Sequence, residues 1–219
     1  MKRLFLTAML LFLAGSSLAG AEPKKVDPVF RVQGGVLQAS FRLPGVLDEE
    51  LRERVNSGLT NRILLTAWLE SSDGKWKGGE TILSLQAVYD VWEETYIIQR
   101  QDVRGASKKV FREQTAFVSE LTKVDNLPLL QPQQLDQSKK YILRVVVSVN
   151  PPSKELVEKA KEYLSDPEGT KRLSTSRTVF GSFARTFIPS AIGESGQVHE
   201  YASMPFTPAS LGIQKEGAR

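Results

Sequence analysis

Asp90, Trp92, Glu93 and Glu94 come nearest, by type and spacing, to a chemical constellation in this chain. Paired carboxylates beside an aromatic ring suit a glycan hydrolase: one acid protonates the leaving oxygen, the other attacks or activates water, and the ring stacks on sugar. Adjacent glutamates on a strand point to opposite faces, so Glu93 and Glu94 act with another acid only if a turn brings them to it. A structural turn or polar interaction edge is the simpler account, and a carboxylate-dependent glycan hydrolase is kept as the alternative from a different class. Other catalytic material is scarce. His199 is the single histidine and there is no cysteine, which leaves a triad poorly supplied and excludes thiolate or multi-histidine metal centres within one chain. No nucleophile elbow, phosphate-binding glycine loop or dinucleotide fingerprint occurs. No catalytic residue, metal or cofactor is assigned.

Two other stretches carry residue types suited to binding. Lys75-Trp76-Lys77 lies between Gly74 and Gly78-Gly79, where the indole either projects into a partner groove or lipid interface or folds back over the sheet beside Trp68. Within residues 170–188, Arg177 and Arg185 alternate with Phe180, Phe183 and Phe187 at three- and four-residue spacing. As a helix this stretch is amphipathic, and its aromatic stripe packs on the domain, on a partner or at an anionic membrane. Arg100, Arg104, Lys108, Lys109 and Arg112 enrich one hairpin in positive charge, interrupted by Asp102 and Glu113. They read as a solvated hairpin whose lysines guard an edge.

The elements that must position these residues are mostly strands. Val29–Gln33 and Val36–Leu43 flank Gly34-Gly35, and Leu37, Ala39, Phe41 and Leu43 alternate with polar residues, the mark of a half-buried hairpin. Asp48 caps a helix with Leu51, Val55 and Leu59 on one stripe, ended by Gly58. Ile63, Leu65, Ala67 and Leu69 load one side of the next strand and Leu64 and Trp68 the other, as expected for a strand between two layers. Strands follow over Thr81–Val91, Thr95–Gln101 and Lys109–Glu113, then a short helix using Ala116, Val118, Leu121 and Val124 before Leu127-Pro128. Tyr141–Asn150 is rich in β-branched residues, and Pro151-Pro152 separates it from a helix over Ser153–Leu164. The fold predicted is mainly β with flanking helices, an antiparallel β-sandwich-like or two-layer α+β domain. Its expected segments are a flexible leader over 20–28, a single β-rich domain over 29–169, the basic aromatic helix over 170–188 and an irregular tail over 189–219.

Lys2 and Arg3 precede an apolar run of about 11 residues, Leu4–Ala14, followed by Ser17, Ala19 and Ala21. That order is a secretory signal peptide over residues 1–19, cleaved near 19–21, and the run falls short of the roughly 20 residues a spanning helix needs. Lys2 and Arg3 leave with it, so the net charge falls from +4 to +2, too weak a surplus to argue for nucleic acid. The mature chain is expected in the periplasm or secreted.

The signal peptide, Phe41-Arg42-Leu43 followed by Leu51 to Gly58, Tyr89-Asp90, Tyr96-Ile97-Ile98, and Tyr141-Ile142-Leu143-Arg144 leading to Ser153 together resemble an uncharacterised bacterial family of small exported proteins, a domain of unknown function. The resemblance covers roughly residues 29 to 165, implies export, and brings no catalytic residues with it. The function expected is a non-enzymatic envelope protein that binds another protein or an envelope component, with Lys75, Trp76, Lys77, Trp92 and the Arg177 to Phe187 set as contacts. A peripheral module on an anionic membrane is the neighbouring alternative. Mass spectrometry of the chain from an envelope fraction is expected to find its N-terminus at Gly20 or Glu22; an intact Met1 terminus there contradicts the export reading.

Overall fold

The computed structural model describes residues 22–151 and 197–211. The signal-peptide run, the helix expected over Ser153–Leu164 and the basic aromatic stretch with Arg177, Phe180, Phe183, Arg185 and Phe187 lie outside the described residues. Ten strands are described: β1 (Lys24–Val26), β2 (Val29–Gln33), β3 (Val36–Arg42), β4 (Asn61–Ser71), β5 (Lys77–Asp90), β6 (Thr95–Asp102), β7 (Gly105–Phe111), β8 (Lys123–Leu130), β9 (Tyr141–Val149) and β10 (Gln197–Ser203). Helices α1 (Glu49–Asn56) and α2 (Gln114–Leu121) accompany them.

The strands form a seven-stranded sheet in the order β1-β10-β9-β4-β5-β6-β7 and a three-stranded sheet in the order β2-β3-β8. Every pairing is antiparallel except β1 with β10. β4 lies at the middle of the large sheet, bonded to β5 on one side and β9 on the other. Ile63, Leu65, Ala67 and Leu69 face a core shared with Leu37, Ala39 and Phe41 of β3 and Val124, Leu127 and Leu130 of β8. Each large apolar side chain sealed there contributes about 1.5–3 kcal/mol. The other face of the large sheet also buries Leu64 of β4, Ile82 of β5 and Val146 of β9, which is why β4 reads as apolar on both sides. This mixed, strand-dominated architecture is the two-layer class anticipated from the sequence.

Local chemistry accounts for the turns and caps. Gly34 and Gly35 both have positive φ, 58° and 75°, the conformation of a two-residue hairpin turn between paired Gln33 and Val36. The Asp48 carboxylate accepts from the Leu51 N–H at 2.9 Å, and Leu51 and Val55 are buried. Leu59 departs from their stripe. Gly58, at φ 78°, turns the chain out of the helix and leaves Leu59 exposed.

Three expectations are corrected. Residues 24–26 of the expected leader are β1, in register with Tyr201–Ser203, and residues 197–203 of the expected irregular tail are β10, paired with β9. These strands are short and mostly polar, so their pattern is faint; backbone pairing and the burial of Val26 and Tyr201 hold them. Phe206 continues the tail onto the core, exchanging backbone hydrogen bonds with Tyr141 and packing its ring 4.4 Å from that of Phe30. Val124 belongs to β8, and the buried residues of α2 are Phe117 and Leu121. Pro128 sits within β8 beside a register shift, where a residue without an N–H is tolerated.

A bulge in β5 sets Gly79 and Glu80 against Trp68. Gly79 has φ 66°, and a Cβ there would lie 2.9 Å from Leu130 Cδ2. Gly79→Ala is expected to lower stability by about 2–4 kcal/mol, from left-handed strain plus collision with the core. Gly35→Ala, with open space around it, is expected to cost about 1 kcal/mol. Urea unfolding of both variants checks the difference.

Candidate functional site

The turn from β5 to β6 carries the first candidate cluster. Asp90 accepts from the backbone N–H groups of Trp92 at 3.0 Å and Glu93 at 3.2 Å, an Asx turn that organises the loop through its own side chain. Glu94 takes φ 51° and closes the turn. Glu93 and Glu94 thus stand exposed on a turn, and the Asp90 carboxylate is occupied by the backbone. The pairing of acids across a groove that glycan hydrolysis asks for is not the arrangement of this turn.

The same geometry presents Trp92 to solvent. It is 91% exposed, with Val91 at 53% and Leu59 at 50%. Leu59 comes from the α1 exit, which passes close to the turn: a Cβ on Gly58 would lie 3.4 Å from Val91 Cγ1. An aromatic base lies beneath, where the Tyr96 ring is 4.7 Å from Tyr89 and 4.8 Å from Phe117. The Tyr96 hydroxyl donates to Asn56 Oδ1 at 3.2 Å, and the Gln114 amide donates to the same oxygen at 3.3 Å. Both helices and the start of β6 therefore brace the platform from which Trp92 projects.

Lys75-Trp76-Lys77 has a different fate. The Ser71 hydroxyl donates to Asp73, Asp73 accepts from the Lys75 N–H, and the Trp76 N–H donates to Ser71 Oγ. This tight turn folds the indole back, beside Tyr141 at a ring separation of 5.3 Å, where the sequence suggested Trp68. Lys77 instead lies over the Trp68 ring at 5.4 Å and within 3.6 Å of Glu70. Burial pushes the nearby Glu80 carboxyl up to about 7 against the opposing pull of Lys77. Of the three residues, Lys75 and Lys77 remain exposed and Trp76 is a half-buried packing residue. His199, placed on β10, has Nδ1 3.4 Å from Lys24 Nζ, and burial with the Lys24 charge pushes its imidazole below the usual value.

The basic hairpin of β6 and β7 is organised by one acid that the sequence showed only as an interruption. Asp102 is buried and accepts from both Arg100 and Arg104, while those guanidiniums also donate to the carbonyls of Asp125 and Asn126 in β8. The hairpin is thereby stapled to the small sheet. Burial would raise the Asp102 carboxyl, but hydrogen bonds from Arg104 and the charges of both arginines outweigh it and hold the group below 3.8. Lys109 is tied to Glu120 of α2 at 2.6 Å. Lys108 and Arg112 are exposed and form no ion pair among the described residues.

On this hairpin and the adjoining β5, Ser84, Gln86, Gln99, Arg100, Gln101 and Lys108 help line a shallow concavity of about 290 Å³. Sequence reasoning passed over it. Its signal was the polar period-two row of Gln99 and Gln101 with Gln86 opposite Gln99, which takes meaning only from the register of β5 and β6. Comparison with protein-family models, curated proteins and solved structures finds no significant match.

Asp102 also yields a pH prediction. A carboxyl held low in the folded state adds stability above its unfolded pKa, and that stability is lost as pH falls through the folded value. Asp102→Asn is expected to cost about 2–3 kcal/mol at pH 7. The gap to the parent should narrow as pH drops below about 4, a trend checked by urea unfolding from pH 3 to pH 7.

Proposed function

We propose that this chain is an exported, non-enzymatic domain of the cell envelope that binds a partner protein, with Trp92 as the anchor of the contact. The observation that carries this reading is the 91% exposure of Trp92 on a turn fixed by Asp90 and flanked by exposed Val91 and Leu59. Leaving an indole in water forfeits a large apolar stabilisation, and tryptophan is the residue type most often found at the energetic centre of an interface. Because the backbone around it is already ordered, little conformational freedom is left to lose on binding. The export half of the proposal rests on Lys2, Arg3 and the Leu4–Ala14 run.

Charge favours a protein over an anionic membrane as the ligand of this tip. Asp90, Glu93 and Glu94 lie on the same turn as Trp92, and an anionic surface would repel their charges within a Debye length. Hydrolysis is the weakest of the three readings, because Asp90 is engaged in holding the turn.

Trp92→Ala should leave the unfolding midpoint unchanged, since the ring contributes nothing to the core, and weaken partner binding by roughly thirtyfold or more, the loss typical of a hot spot. Affinity capture from envelope extracts, quantified for the parent, Trp92→Ala and Trp76→Ala, tests this. Equal recovery of the same partner by the parent and Trp92→Ala counts against the assignment. Flotation of the chain with anionic vesicles, independent of Trp92, also counts against it.

A further inference from the structure

We propose that the free edge of β7 takes up an extended, acidic segment of the partner protein as an added strand. The proposal builds on the binding-domain reading and names the partner's chemistry at a second, separate contact.

β7 is the last strand of the large sheet, bonded to β6 from Asp102↔Gly105 to Tyr96↔Phe111 without a register shift. Among the described residues no strand pairs with its outer row of backbone N–H and C=O groups, and Gly105 through Val110 are all exposed. The strand holds seven residues, about 23 Å of template at about 3.3 Å each. Natural edges are usually blunted by proline, by a bulge, by a cover or by charge. β7 has no proline and no bulge, whereas β8 has Pro128 and register shifts. Among the described residues α2 meets this strand through the Lys109–Glu120 pair and the Phe111–Phe117 ring contact, and its exposed outer row is guarded by charge.

That charge is selective. Lys109 is paired with Glu120, and two guanidiniums share the single carboxylate of Asp102, while Lys108 and Arg112 are left without ion pairs among the described residues. Within β7 the charges are Lys108 and Lys109, and with Arg112 counted against Glu113 and Glu120 this stretch keeps a net positive charge. A second copy of β7 would set lysines against lysines, and a neutral strand would have to desolvate them without return. An acidic strand turns the same lysines into attraction, so the device that blocks unwanted pairing also chooses the partner. Side chains of an added strand fall alternately on the two faces of the sheet. Those on one face would lie beside Lys108 and the amides of Gln99 and Gln101, which line the shallow concavity. The C-terminal end of β7, opposite Tyr96, lies at the same end of the sheet as the Trp92 turn.

The test is an NMR titration of the mature full chain with an acetylated octapeptide that alternates glutamate with threonine or valine, compared with its lysine-for-glutamate counterpart. Amide shifts are expected to concentrate on residues 105–111 and on Gln99 and Gln101, with the acidic peptide binding about tenfold tighter than the lysine form and weakening as salt rises. Lys108→Glu, an exposed substitution, should weaken it about tenfold, with Arg112→Glu as a second variant, and Trp92→Ala should leave it unchanged. Absence of shifts in β7 at millimolar peptide overturns the proposal, as does equal binding of the two peptides. Self-association of Lys108→Glu without peptide binding by the parent shows a guarded edge only, and also overturns it. Because the peptide does not engage Trp92, failure here leaves the indole contact standing, and loss of the indole contact leaves this result interpretable.

Discussion

The pairing of β4 with β5 on one side and β9 on the other is the constraint from which the rest of this structure follows. Eleven residues of β4 run through the middle of the large sheet, and buried side chains leave it on both faces. The backbone groups of such a strand cannot reach water, so both neighbours must satisfy them. Once β5 and β9 are in place, the inner face demands a cover, which β3 and β8 supply with Leu37, Ala39, Leu127 and Leu130. The helices then fill what remains: α1 seats Leu51 and Val55, and α2 seats Phe117 and Leu121.

This hierarchy separates places where the chain is held from places where it is presented. Toward the core, polar groups are used to fasten elements together, as when Asp102 gathers two arginines that reach the carbonyls of β8. Toward solvent, the β5–β6 turn does the reverse: Asp90 uses its carboxylate to order backbone, and the order holds an indole away from the core. A rigid turn and an exposed tryptophan are costly separately for stability, and together they make sense at a contact.

The two candidate contacts differ in physical kind. The Trp92 tip offers apolar area at one point, and β7 offers unpaired backbone under a positive field. Both lie on the β5–β6–β7 side of the sheet, where Tyr96, Phe117 and the Asp102 staple give the strands a firm base.

Local rules carried much of the architecture in readable form. Period-two alternation marked β3, β4, β5 and β9, Gly34-Gly35 marked a hairpin, and Asp48 marked a helix start, because each depends on residues within a few positions of one another. Trp92 was readable as a candidate by its type. What distance in the chain concealed was decided by tertiary structure. β1 and β10 have little pattern of their own and exist because Lys24 meets Tyr201 across most of the sequence. The direction of Trp76 depended on the presence of Tyr141, the role of Asp102 on two arginines and β8, and the glutamine-lined concavity on the register of β5 against β6. Side-chain periodicity is inherited from a single strand, whereas an edge, a staple or a shelf is a property of strands brought side by side.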